Sequence, residues 1–364
     1  MKIAMIGLRG LGDGLGGIEK AVREISIRMA KDGHEVFCYC KANYSQDSEY
    51  EGVNLINVDT WKGKHLETMI YSLKAILHAS KQDYDIIHIH ALATSCLAWI
   101  PKFIFKKKVV ITVHGLDWQR AKWGFAARQI LKFGEWASVK FADLTLCVSK
   151  SLSMYYKMKY NKDNVAYIPN GCDVDNDEHL PLEGFEAKSY FLYLGRLVPE
   201  KGVHRLIEAY KDLKTDRKLV IAGPDSDPVY AKTLRELADG NKNIIFTGPV
   251  YNDNKVRLLA NAYMFVLPSE IEGLPIALLE AASYGVCTAV SKIPTCEEII
   301  DNYEIPCGFT FNFSKVNEIK TVLSLSEKST SLVSALGAKL KKQIKSQYNW
   351  NEISKQSISA YQNA

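Results

Sequence analysis

Two acids bracket a mostly apolar stretch, EGLPIALLE, from Glu272 to Glu280, directly after the strand-like run AYMFVLPS. Carboxylates accept hydrogen bonds from N–H and O–H donors. An acid at each end of such a segment therefore marks either the edge of a polar site or a buried helix with solvated ends. On one continuous helix the eight-residue offset would set the two side chains about 80° apart. Pro275 suits a first helical turn, where its missing N–H is no loss. Glu272 is then expected in the loop before the helix, and Glu280 on the helix, turned inward. Upstream, GRLVPEKG (Gly195 to Gly202) puts Arg196 and Lys201 at the exit of another apolar run. A guanidinium fork and an ammonium point charge in one short loop can converge on a diphosphate.

Two more stretches carry polar chemistry. GLRGLGDGLGGIEKAVREI opens at Gly7 with six glycines before a helical pattern. Glycines let backbone N–H groups approach an anion, and the helix start that follows favours negative charge. The spacing matches neither the dinucleotide fingerprint nor a Walker A loop, so the loop is read as a phosphate or substrate loop, with a plain turn as the alternative. TVHGLDWQRAKW (Thr112 to Trp123) places His114 at a strand exit, as an acid, a base, a sugar-binding donor or a structural histidine. His88 and His90 alternate on one strand and point the same way. No cysteine or carboxylate accompanies them at metal-ligand spacing, so no metal site is expected. Trp118, Trp123, Phe125 and Trp136, interleaved with Arg120, Lys122, Arg128 and Lys132, read as one basic aromatic helix, and WIPKFIFKKK has the same character. Such segments can lie on an anionic membrane or pack as core helices with solvated cations.

These residues need a frame. The chain has 364 residues, 47% hydrophobic and 24% charged, an ordinary composition better suited to two cores than one. No apolar run reaches the ~18 residues of a membrane helix. The opening MKIAMIGL reads as a first strand rather than a signal peptide. The eight cysteines (Cys38, Cys40, Cys96, Cys147, Cys172, Cys287, Cys296 and Cys307) form no CxxC pair and mostly lie in apolar runs, as buried thiols of a cytoplasmic protein would. Residues 1–168 carry about eight more cations than anions, and the remainder is mildly acidic, which suggests a different partner for each half. No recognised nucleic-acid module accompanies the charge, so nucleic acid is not expected.

Short apolar runs alternate with longer helical patterns throughout, the sign of parallel α/β sheets covered on both faces. KIAMIGL, EVFCYC, DIIHIHA, KVVITVHG and DLTLCVS belong to the first half. VAYIPNG, YFLYLGR, LVIAGP, IIFTGP, AYMFVLP and GVCTAV belong to the second. Residues 171–189 read as a linker. The expected organisation is a doubly wound domain over 1–168, a second over 169–345, and a C-terminal helix over 346–364 packing back on the first. Ligands of such sheets bind beyond the carboxyl ends of the strands, where all the polar residues above fall.

In order, the segments GLGGIEKAV, DIIHIHA, TVHG, VSKS, IPNGCD, YLGRLVPEKGVHRLIEA, VIAGP, FTGPV and VLPSEIEGLPIALLEAASYGV resemble the retaining glycosyltransferases of family four over nearly the whole chain. The two glutamates with seven residues between them are the most specific feature. The resemblance implies the GT-B fold: two Rossmann-like domains with parallel sheets facing across a cleft. The opening loop and HGLDWQRAKW look further like members that build bacterial surface polysaccharide, O-antigen or capsule. By similarity, the donor is a nucleotide-diphosphate sugar, UDP by default with GDP and dTDP open. It would be held by Gly16, Gly17, Gly195, Arg196, Lys201, Gly223, Pro249, Glu272, Gly273, Leu274 and Glu280. Glu280 would bind the ribose, Glu272 the transferred sugar, and the N–H groups of Gly273 and Leu274 would lie near the diphosphate. Arg196, Lys201, His114 and Glu272 would carry catalysis, the two cations doing what a metal does elsewhere, so neither cofactor nor metal is implied. The first domain would take a lipid-linked saccharide acceptor near Gly17, His90, Asp117 and Trp118, at the inner face of the cytoplasmic membrane. The stretch IPTCEEII departs from the family's glycine-rich turn, which leaves donor identity open.

Two other readings compete: a sugar-nucleotide epimerase, or a phosphorylase-like enzyme, on a similar fold, and a non-catalytic sugar-nucleotide-binding protein. A pyridoxal phosphate enzyme would need a lysine in a recognisable site, and none is found.

Overall fold

The computed structural model describes residues 1–60, 67–174, 177–302 and 305–364. They form two α/β units: Met1–Gly171 together with Trp350–Ala364, and Cys172–Asn349. The boundaries fall a few residues beyond 168 and 345.

In chain order the first unit contains β1 (Lys2–Ile6), α1 (Gly17–Lys31), β2 (Glu35–Lys41), β3 (Glu49–Tyr50), β4 (Val53–Val58), α2 (Glu67–Ser80), β5 (Ile86–His90), α3 (Leu92–Ser95), β6 (Val109–Val113), α4 (Phe125–Lys140), β7 (Leu144–Cys147), α5 (Lys150–Tyr160) and β8 (Val165–Tyr167). A π-helical turn, Ile100–Ile104, precedes β6, and a 3-10 turn, Asp117–Gln119, follows it. The sheet runs β3-β4-β2-β1-β5-β6-β7-β8, parallel except for the short edge strand β3. Every residue of β5 and β6 is buried, which is why their sequences read as unbroken apolar runs broken only by histidine and threonine. VAYIPNG does not open the second half: Val165–Tyr167 pairs with β7 as the far edge of the first sheet. Strand β4 escaped the sequence reading because VNLINV alternates buried and exposed positions. The C-terminal helix, Trp350–Gln362, belongs to this unit and packs on α1.

The basic aromatic segment is not one helix. Trp118 sits in the 3-10 turn, and α4 starts only at Phe125, because Gly124 is extended at its N-cap. Helix α4 crosses α3 closely at Gly134, where a Cβ would stand 2.0 Å from the Leu92 carbonyl oxygen.

The second unit contains β9 (Tyr190–Leu194), α6 (Val203–Lys211), β10 (Lys218–Ala222), α7 (Pro228–Ala238), β11 (Ile244–Gly248), α8 (Asn252–Ala260), β12 (Met264–Leu267), α9 (Ile276–Ser283), β13 (Cys287–Ser291), α10 (Pro294–Ile300), a two-stranded β14 (Asp301–Asn302) and β15 (Ile305–Pro306), β16 (Phe309–Phe311), α11 (Val316–Lys328) and α12 (Thr330–Gln347). The sheet order β11-β10-β9-β12-β13-β16 is the doubly wound order, reversing between β9 and β12. In the first unit the reversal lies between β1 and β5. In the linker, Cys172 bridges to Asn349, and its N–H donates to the Tyr348 carbonyl at 2.8 Å. Asp175 and Asn176 of that linker lie outside the described residues. All eight cysteines are buried, and none is in a disulfide.

Candidate functional site

In each unit the polar residues gather where the strand order reverses. In the second unit, the chain leaves β9 at Gly195 and turns through Pro199–Lys201 into α6, with Gly202 left-handed at φ 67°. A Cβ on Gly202 would lie 2.2 Å from the Pro268 carbonyl oxygen, and one on Gly223 1.8 Å from that of Gly195. Only glycine lets these strand exits approach so closely. Backbone bonds join the loops: Gly195 N–H to Ala222, Leu197 N–H to Pro224, and Glu270 N–H to Glu200, at 2.9–3.0 Å.

On this platform Lys201 Nζ donates to Glu272 Oε1 at 2.5 Å, the lysine 17% and the glutamate 8% exposed. Glu272 lies in the loop before α9. Pro275 is that helix's N-cap, one position ahead of the first turn where it was expected. Arg196 is half-buried beside them. Its carbonyl accepts the Tyr193 hydroxyl at 2.9 Å, and among the described residues its guanidinium has no ion pair. Burial, helped by the charge of Glu272, pushes the Tyr193 phenol well up, so it stays a neutral donor. Glu280 does point inward, and accepts from Lys255 Nζ of α8 at 2.6 Å. Nothing in the sequence paired those two residues. Leu274 is buried, whereas Pro249 is exposed after the edge strand β11, two strands from the reversal.

In the first unit, β1 exits at Gly7, where a Cβ would meet the His90 carbonyl oxygen at 2.1 Å. Gly16 caps α1 and Gly17 is its first residue. Arg9 Nε donates to Glu19 Oε1 at 2.7 Å directly beside Gly16. Burial pushes the Glu19 carboxyl up, but the Arg9 guanidinium outweighs it and the net displacement is downward. This pair was not picked out from the sequence, although both residues lie in the glycine-rich motif.

The three histidines meet. His90 Nδ1 lies 3.2 Å from His114 Nε2, and the His88 and His90 ring centroids are 3.9 Å apart with the planes tilted by 39°. His88 is held by Thr112 Oγ1 and the Tyr361 hydroxyl, each at 2.7 Å. Burial holds all three imidazoles neutral: His88 is pushed down to about 3, His114 to about 4 against a small opposing effect of Glu19, and His90 well below its ordinary value. His90, expected among the acceptor contacts, is only 2% exposed, and both its ring nitrogens face protein atoms. It supports the surface rather than forming it.

Asp117 pairs with Arg120 at 3.1 Å. Trp118 Nε1 donates at 2.6 Å to Glu135. Glu135 is fully buried and also accepts from Tyr155, Lys159 and Tyr160 at 2.7–3.0 Å. With Glu135 turned inward, the exposed side of α4 shows Arg128, Lys132 and Lys140 beside Ile130, Phe133 and Trp136. Ring contacts run from Phe133 through Trp136 and Phe141 to Phe103 of the π-helical turn, at 5.2–5.7 Å. No described helix is long and apolar enough to cross a membrane.

The model for glycosyltransferase family 4 matches residues 15–176, and that for glycosyl transferases group 1 matches 175–345. An uncharacterised glycosyltransferase of Methanocaldococcus jannaschii is 24% identical, covering 94% of this chain and 93% of its own. The Escherichia coli UDP-Gal:alpha-D-GlcNAc-diphosphoundecaprenol alpha-1,3-galactosyltransferase is 28% identical over 63% of this chain and 62% of its own. The structure of Anabaena HepE in complex with UDP-glucose superposes with a TM-score of 0.83 at 16% identity, covering both chains entirely. Two matched domain models, relatives along the chain's length and two doubly wound sheets agree: this chain is a GT-B glycosyltransferase of the family 4 and group 1 type.

Proposed function

We propose that this glycosyltransferase moves a hexosyl or deoxyhexosyl group from a nucleotide-diphosphate sugar to a lipid-linked saccharide, with retention at the anomeric carbon and without a metal, in the synthesis of cell-surface polysaccharide. The observation that carries this reading is the Lys201–Glu272 pair at the β9/β12 reversal, with Arg196 at the exit of β9 in no ion pair among the described residues. Arg196 and Lys201 supply the positive charge a departing diphosphate needs, and the Gly273 and Leu274 amides add donors. Glu272 accepts from hydroxyls of the transferred sugar, and Glu280 from those of the ribose. Gly195 and Gly223 leave room for the nucleotide, while Gly16 and Gly17 lie against the sugar and diphosphate. In a same-face transfer, the bond from C1 to the phosphate oxygen breaks as the acceptor oxygen bonds to C1. The acceptor proton passes to the leaving phosphate. The HepE complex supports UDP as the base, and the Escherichia coli relative supports a lipid-diphosphate acceptor.

The first unit takes the acceptor near Gly17, Asp117 and Trp118, in the loop after His114, and His114 itself contacts the transferred sugar. The cationic, aromatic face of α4 and the π-helical turn supports a peripheral place on an anionic inner membrane face.

A thermal-shift panel of UDP-, GDP- and dTDP-sugars, each with magnesium and with EDTA, tests the donor half. One sugar nucleotide at ~100 times its Kd should stabilise by about 2.7 kcal/mol, equally under both conditions. A requirement for magnesium would remove the role given to Arg196 and Lys201. No shift from any donor would overturn the donor reading.

A further inference from the structure

The imidazole of His114 has two nitrogens in different circumstances. Nε2 faces His90 Nδ1 at 3.2 Å. Nδ1 has no partner among the described residues, and the side chain is partly exposed at the exit of β6. Which nitrogen carries the proton decides whether the open atom donates or accepts.

His90 answers that. Its other nitrogen, Nε2, lies 3.5 Å from the Met5 sulfur. A thioether has lone pairs and no proton, so it can only accept. A proton on His90 Nε2 therefore gains a contact, and a lone pair there faces nothing that can donate. His90 Nδ1 is then unprotonated and accepts, so His114 Nε2 must be the donor across the 3.2 Å contact. The reverse arrangement leaves the His90–Met5 contact without a hydrogen. His90 has little freedom to escape this choice. Its ring lies 3.9 Å from that of His88, tilted by 39°, and Thr112 and Tyr361 hold His88 from both ends. The hydroxyls on His88 can donate or accept, so they fix its place without fixing its tautomer.

We infer that His90 is a positioning residue that locks His114 with its proton on Nε2, so that the open Nδ1 presents a lone pair and accepts a hydrogen bond from a substrate hydroxyl. Burial keeps both rings neutral at pH 7, which preserves the arrangement. The inference rests on the reading of His114 as a substrate contact. It adds the direction of that contact: the ligand at His114 is a hydroxyl donor, and an ether or a fluorine at that position would not be accepted.

The test uses the full chain labelled with nitrogen-15 in its histidines. Long-range proton–nitrogen correlation spectra report which imidazole nitrogen is protonated, and the His114 signal is assigned by its loss in His114→Gln. Wild type should show His114 protonated on Nε2 only. His90→Asn, whose carbonyl oxygen can replace the Nδ1 acceptor, should keep that tautomer. His90→Leu should give a tautomer mixture and lower kcat/KM for transfer ~10-fold, the worth of about one hydrogen bond, with the asparagine variant restoring most of it. A wild-type His114 protonated on Nδ1 overturns the inference. So does a His90→Leu protein that transfers at the wild-type rate. If His90→Leu does not fold, the wild-type spectrum alone decides. The spectrum needs no turnover, so a failure of the transferase reading and a failure of this inference are told apart.

Discussion

Lys201 and Glu272 are 71 residues apart and share a 2.5 Å contact with little solvent around it. Two groups this enclosed stabilise each other only as a pair, and removing either leaves the other's charge without an answer. That arrangement keeps an ammonium and a carboxylate in fixed places before any ligand arrives, which is what electrostatic catalysis asks of a site. Lys201→Ala should lower kcat for sugar transfer by ~10²–10³, measured by steady-state kinetics on the donor found by thermal shift. Wild-type turnover in this variant, with its fold confirmed by circular dichroism, would exclude Lys201 from diphosphate stabilisation. Glu280 has the same logic with a different partner, Lys255. In both cases the acid was legible in the sequence and its pairing was not, Lys201 being read against a diphosphate and Lys255 not being singled out, because only the sheet brings the strand exits and helices together.

At the scale of elements, α4 joins two tasks. Its buried side carries Glu135, which fastens Trp118 and α5 through four donors. Its exposed side carries cations and large apolar side chains, continued by Phe103 and Ile104, 58% and 59% exposed. A face without an exposed acid, with aromatic rings between lysines and arginines, suits an anionic lipid surface. In a sedimentation assay, wild type should bind vesicles containing anionic phosphatidylglycerol over neutral ones. Phe103→Ser with Phe133→Ser should weaken this at least ~10-fold, since a buried phenylalanine is worth about 1.5–3 kcal/mol. Equal binding to neutral and anionic vesicles would remove the membrane from the proposal. The segment's character was visible in the sequence, but its shape was not. Gly124 stops the helix from extending back to Trp118, and the tight crossing at Gly134 sets which side of α4 is buried.

For the whole molecule, the first unit stores a strong acid sensitivity. His88, His90 and His114 are neutral when folded and titrate normally, near 6.5, when unfolded. Between that value and about 4 the unfolded chain binds more protons than the folded one. Stability should therefore fall as pH drops below 6.5, by up to ~1.4 kcal/mol per pH unit for each imidazole, and these groups should contribute no slope above it. Every tryptophan of the chain lies in residues of the first unit, so tryptophan fluorescence during urea unfolding reports this unit alone. A urea midpoint constant from pH 7.5 to 4.5 would contradict the buried neutral cluster. In His88→Gln the slope should be shallower, because one titrating group is gone.

The sequence by itself determined the fold class, the two-domain plan and nearly all the strand exits, because strands buried on both faces must be continuously apolar and glycines are required where backbones nearly touch. It also pointed to Glu272, Glu280, Arg196 and Lys201 in the second unit, since a ligand of hydroxyls and phosphates needs those residue types, but not to Lys255. Tertiary structure alone decided which charges pair, which sheet Val165–Tyr167 joins, and that His90 lies beneath the surface rather than on it. Those facts depend on neighbours brought together from distant parts of the chain, Tyr361 with His88 and Met5 with His90. Local periodicity records which way a side chain points, and it carries no record of what waits on the other side.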